Sequence, residues 1–255
     1  MRRLAGWAAK VASVCLACAV LPLAAAPPKT EIVEYASGSE TASGFLALPS
    51  APGRHAAILL IHGDSGLTGW VQEQARGFAA QGYVALAADL YRGRVAADSE
   101  EAHELARGLP DDRALRDVEA AFAYLAARKD VSPGRIGAIG WQMGGWFALQ
   151  LAIHEPRLAA CAVSNTALPT DADDLARIRV PILGNFGADQ RGISAGRIEA
   201  FENDLRSRGI QVDVKIYAGA GSDFENSADA NHFRPEPAAD ARTRDLAFFA
   251  KNLKR

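Results

Sequence analysis

Residues Arg135 to Ala152 read RIGAIGWQMGGWFALQLA, and their pattern changes halfway along. A short apolar run, Ile136 to Ile139, stops at Gly140, and across the Gly144-Gly145 pair Met143, Phe147 and Leu151 fall four apart. A short continuous apolar run suits a strand and a four-residue recurrence suits one face of a helix, so the stretch predicts strand, sharp turn, helix. The glycines leave room for a strained turn whose central side chain projects from the end of a sheet. The residue at that tip is Gln142.

The flanking chain gives the turn its setting. Ala56 to Ile61 is apolar without alternation, as expected of a strand buried on both faces. It ends in HGDSGLTGW, which reads as a loop, followed by a helix from about Val71 to Ala80. Tyr83 to Ala87 is the next strand and runs into Asp89-Leu90-Tyr91; a polar segment with no assigned element follows. A helix then starts near Asp112, with Leu115, Val118, Phe122 and Leu125 three and four apart. Beyond the central stretch, strands are expected at Leu158 to Val163, Val180 to Phe186 and Val212 to Tyr217. The stripes Ile198, Phe201, Leu205 and Leu246, Phe249, Leu253 mark helices. Two strand-like runs, around Ile32 to Tyr35 and Gly44 to Leu48, precede them all. Strands alternating with helices predict an α/β fold with a mostly parallel central sheet and helices on both faces. Binding groups then belong on loops at the carboxyl ends of the strands.

Composition narrows the function classes. At 255 residues, 49% hydrophobic and 23% charged, the chain has room for one large core. Arg2, Arg3 and Lys10 precede an apolar run from Val11 to Ala26 that ends in small residues, the pattern of a cleaved secretory leader. The expected division is a signal peptide over 1–26 and a single domain over 27–255, with a periplasmic or secreted location. Cys15 and Cys18 leave with the leader, so Cys161 stands alone in the mature chain and reads as a small buried residue of its strand. The formal net charge of −2 becomes more negative once the three leader cations are removed. No basic cluster offers a grip on nucleic acid, and no later apolar run is long enough to span a bilayer.

The central turn has the geometry of the nucleophile elbow of α/β hydrolases. With GYVALAADLY from Gly82, PILGNFG from Pro181, GAGSDFEN from Gly219 and AADARTRDLAFFAKNL from Ala238, the chain resembles the dienelactone hydrolase family from about residue 30 to its end. That resemblance implies the α/β-hydrolase fold, an ester or lactone substrate and no cofactor. It also implies which positions carry chemistry. The family's elbow cysteine is Gln142 here, its catalytic acid Gln190 with Asp189 one place early, and its histidine Ser222. Its glutamate after the first buried strand is replaced by Gly63.

A carboxamide has no ionisable proton to surrender and forms no thiolate or alkoxide, so Gln142 is no nucleophile. A hydrolase of this type also needs a base and a carboxylate to orient it. The reading is therefore an impaired or inactive family member that keeps a small-molecule pocket. Backbone donors survive any substitution: the amides of Met143 and Asp64 stand where the fold forms its oxyanion hole. His62, ending a strand, is either a pocket residue or a hydrogen-bonded structural histidine. Arg92, with Arg94 beside it, lies near where the family places an arginine for its substrate's carboxylate. The alternative is an active ester or lactone hydrolase using His232 as a displaced base, or metal-activated water. Ser65, Ser164 and Ser222 would each need a base within hydrogen-bond reach. No metal is assigned, because the spacing of His62, Asp64, Asp223, Glu225 and His232 matches no ligand pattern.

Overall fold

A computed structural model describes residues 26–254, so the leader expected over 1–26 lies, apart from Ala26, outside the described residues. Eight strands form one sheet: β1 (Lys29–Ser37), β2 (Glu40–Leu48), β3 (His55–Ile61), β4 (Val84–Asp89), β5 (Val131–Trp141), β6 (Ala160–Ser164), β7 (Ile182–Gly187) and β8 (Val212–Tyr217). Their order is β1-β2-β4-β3-β5-β6-β7-β8. β2 runs antiparallel to both β1 and β4, and every other pairing is parallel. This is the mostly parallel sheet of the α/β-hydrolase fold.

The central strands divide their side chains between two cores. Ala57, Leu59 and Ile61 of β3 face one core while Ala56, Ile58 and Leu60 face the other, and β4 divides the same way. Successive side chains in a strand point to opposite faces, so an unbroken apolar run is what burial on both sides demands. The helices α3 (Asp111–Ala127), α4 (Met143–His154) and α6 (Ala195–Ser207) cover one face through Val118, Phe122, Phe147, Leu151, Ile198 and Phe201. The helices α1 (Gly69–Ala80) and α7 (Pro235–Leu253) cover the other through Val71, Phe78, Phe249 and Leu253. Helix α4 is buried nearly all round, including Leu149 and Ile153, which places it against the sheet centre.

Two helices depart from the expected elements. The polar segment after Tyr91 contains α2 (Ser99–Arg107), and a short α5 (Ala172–Arg177) follows β6. Helix α2 is short and polar and buries only Ala102 and Leu105. Its start is set by Asp98, whose carboxylate accepts from the amides of Glu100 and Glu101, and its acidic first turn and Arg107 at the end suit the helix dipole. Among the described residues, no helix is long and apolar enough to cross a membrane.

Strand order reverses on either side of β3, where β4 lies to one side and β5 to the other. A crevice outside the carboxyl ends of β3 and β5 is therefore where such a sheet places a ligand.

Candidate functional site

The elbow stands at that point. Gln142 follows β5 with φ 51° and ψ −119°, outside the regions that a residue with a side chain readily occupies. Its amide donates to the Ser164 carbonyl at 2.9 Å, and its carbonyl accepts from Gly145 at 3.1 Å to open α4. Gly144 lies against the carbonyls of Ile61 and His62, and a β-carbon there would collide with both. The turn is thus held tight against β3, and the residue-142 side chain has nowhere to point except out of the sheet.

Gln142 Oε1 accepts from the Asp64 amide at 3.3 Å, and Nε2 donates to Asp223 Oδ1 at 2.9 Å. The Met143 amide donates to Asp64 Oδ1 at 3.3 Å. Both amides expected to hold a ligand's oxygen therefore already have acceptors inside the chain. The amides of Met143 and Asp64, expected to face a ligand, face Asp64 Oδ1 and Gln142 Oε1 in this arrangement. Gly63 belongs to the same arrangement, because a β-carbon at 63 would overlap Gln142 Oε1.

The other positions implied for a triad carry neither an imidazole nor a carboxylate. Ser222 lines the crevice beside Gln142, and its carbonyl accepts from Asn165 Nδ2 at 2.8 Å. Gln190 leaves Nε2 buried without a partner, and Asp189 is exposed. His232, the displaced-base candidate, is bonded through Nδ1 to Asp229 Oδ2 at 2.7 Å with 61% of its side chain exposed. It is not among the residues lining the crevice. Cys161 is fully buried, with Sγ against the Ala148 carbonyl, and burial pushes its thiol pKa far up. No group of three or more potential metal ligands comes together among the described residues.

His62 and Arg92 both bond to groups of the fold. The Leu90 amide donates to His62 Nε2 at 3.1 Å, so the proton resides on Nδ1, which donates to the Gly63 carbonyl at 2.8 Å. Arg92 places Nη2 2.9 Å from the fully buried Asp117 carboxylate and 3.3 Å from Glu40. Its guanidinium neutralises a charge that would otherwise be isolated between β1 and α3.

Burial of the His62 ring lowers its pKa, and the Gly63 carbonyl only partly offsets this. Below the ordinary histidine range the unfolded chain binds a proton that the folded chain refuses, so His62 costs stability as pH falls. The expected loss is up to about 1.4 kcal/mol per pH unit below roughly pH 6.5. Denaturant unfolding from pH 7 to 5 should show this slope in the wild type and a shallower one in His62→Gln. The buried carboxyls of Asp64, Asp223 and Glu225 are shifted upward and act with the opposite sign at lower pH, which the comparison between variants removes.

The crevice over Gln142 measures about 30 Å³ and is lined by Gly63, Ser65, Trp70, Trp141, Ser222, Asp223, Glu225 and their neighbours. Trp141 Nε1 donates to Glu225 Oε2 at 3.2 Å, and the Ser164 hydroxyl donates to Glu225 Oε1. Burial raises the Glu225 carboxyl pKa, and these two donors pull it back. The sequence assigns no role to Trp141, and Asp223 and Glu225 appear there only in a set that matches no ligand pattern. Their signal was their place: two carboxylates directly after the position implied for the histidine, and an indole directly before the elbow.

Comparison with known proteins agrees with this architecture. The dienelactone hydrolase family pattern matches residues 42–253. A Synechocystis protein provisionally named carboxymethylenebutenolidase is 28% identical, over 89% of this chain and 98% of its own. A Bradyrhizobium protein provisionally named 2-oxo-3-(5-oxofuran-2-ylidene)propanoate lactonase is 26% identical, over 87% of this chain and 94% of its own. The solved structure of a protein called m3DLH superposes with a TM-score of 0.80 at 29% identity, covering 89% of this chain and all of that one. With the family's pattern spanning the sheet from β2 to the last helix, this chain belongs to the dienelactone hydrolase family.

Proposed function

We propose that this chain is an exported member of the family that has lost covalent ester and lactone hydrolysis and keeps the site as a small binding crevice. The single observation supporting this is the Gln142 carboxamide, seated between the Asp64 amide and Asp223. A nucleophile and an empty pair of donors are what acyl transfer requires at that point; Gln142 offers no nucleophile and fills the Asp64 amide, while the Asp64 carboxylate fills the Met143 amide. Export is supported by the leader pattern over residues 1–26. An ester or lactone remains the class of molecule that the relatives' names suggest, and here it would meet no reacting atom.

A second reading, hydrolysis by His232 or by metal-bound water, has one observation in its favour: Asp229 holds the His232 ring as an orienting acid holds a catalytic base. Purified protein lacking residues 1–26 separates the two. The first reading expects no turnover of activated aryl esters above buffer. Turnover abolished by His232→Ala, or by a chelator, would replace it with the second.

A further inference from the structure

We propose that the crevice over Gln142 is a binding site for the ammonium end of a small primary amine, a charge opposite to that of a carboxylate ligand. This rests on the non-catalytic reading above and adds the class of ligand. The two donors that would hold a carbonyl or carboxylate oxygen are spent on Gln142 Oε1 and on Asp64. What the crevice presents instead are carboxylates, aromatic rings and neutral hydroxyl and amide groups. Trp70 and Trp141 meet at its wall with ring centroids 5.0 Å apart and planes 74° from parallel, and Asp223, Glu225, Ser222 and Asn226 complete the lining. No arginine, lysine or histidine lines it.

The groups differ in what they have left to give. Both oxygens of Glu225 already accept, from Trp141 and Ser164. Asp223 accepts from Gln142 through Oδ1 alone, and among the described residues its Oδ2 has no hydrogen-bond partner. An ammonium group carries three donors and no acceptor, so it can take Asp223 Oδ2 and neighbouring hydroxyls while an indole face stabilises its charge. An anion there would meet the Asp223 carboxylate with only the neutral Ser65 and Ser222 hydroxyls and the Asn226 amide to offset it. The crevice is small, and methylammonium is the smallest primary ammonium ion that can probe it.

The test is a titration of the protein lacking residues 1–26 with methylammonium chloride, and in parallel with sodium formate and potassium chloride. It is read from the Trp141 indole N–H resonance. The expected result is a saturable shift with methylammonium alone, at a Kd in the millimolar range. Asp223→Asn should weaken it at least about tenfold, as expected for loss of a charged partner. Trp70→Leu should weaken it as well while Trp70→Phe keeps it, which holds the test open if the Asp223 variant fails to fold. Formate binding as tightly as methylammonium, no saturation with methylammonium, or undiminished binding by a folded Asp223→Asn protein would each overturn the proposal. Aryl-ester turnover measured on the same sample reports separately on the non-catalytic reading.

Discussion

Introduced together, Gln142→Cys, Gln190→Asp and Ser222→His raise hydrolysis of an activated aryl ester at least about 10²-fold over the unaltered protein, whereas each alone leaves it at the buffer rate. The reason lies in how such a site works. Triad members act as a unit, and an isolated thiol at 142 gains no base, just as an isolated imidazole at 222 gains no nucleophile to activate. Position 142 already sits on the tight turn after β5, and position 222 already lines the same crevice. The buried, unpartnered Gln190 Nε2 is a donor left without purpose, and an aspartate there removes it and supplies the orienting charge. Removing the Gln142 side chain also frees the Asp64 amide. The gain stays well short of the roughly 10⁶-fold that an intact triad contributes. Asp223, released from Gln142, would oppose formation of a thiolate beside it, and adding Asp223→Asn should raise the rate further.

Much of this was legible before any coordinates. The parallel sheet followed from apolar runs at Ala56 to Ile61 and Tyr83 to Ala87 that showed no alternation, and the elbow followed from glycines at 140, 144 and 145. Both depend on local spacing. The contents of the site depend on which loops meet, and spacing along the chain does not record that. Gln142 was readable as an inert tip, yet its reach to Asp223 and to the Asp64 amide joins residues 81 and 78 positions away. His62 was open between a pocket and a structural role, and the partners that the fold gives it and Arg92, Leu90 for one and Asp117 for the other, lie far along the chain. Helix α2 was missed because its evidence is a cap and a dipole, with two buried residues for a stripe.

The second large effect concerns Gly63. Gly63→Ala should destabilise the protein by about 0.5–1.5 kcal/mol, because its methyl group needs the space of Gln142 Oε1, which must swing away and give up its bond to the Asp64 amide. In a Gln142→Ala background the same substitution should cost little. The two sites then couple by about 0.5–1.5 kcal/mol in a double-mutant cycle read from denaturant unfolding. The cycle also removes the few tenths to one kcal/mol by which replacing a glycine stiffens the unfolded chain. Strict additivity would mean that the carboxamide lies elsewhere. The coupling explains two departures from the family pattern at once: a side chain at 63 and a long amide at 142 compete for one space, so Gly63 is what allows Gln142 to reach the donors.

An arylated fluorophosphonate reports most directly on whether any oxygen or sulfur at this elbow is activated, since it phosphonylates a nucleophile that a neighbouring base has made reactive. Intact mass of the protein lacking residues 1–26, recorded after prolonged incubation with excess reagent, should be unchanged. A stoichiometric phosphonyl adduct, mapped by peptide mass to Ser65, Ser164, Ser222 or Cys161, would contradict the account.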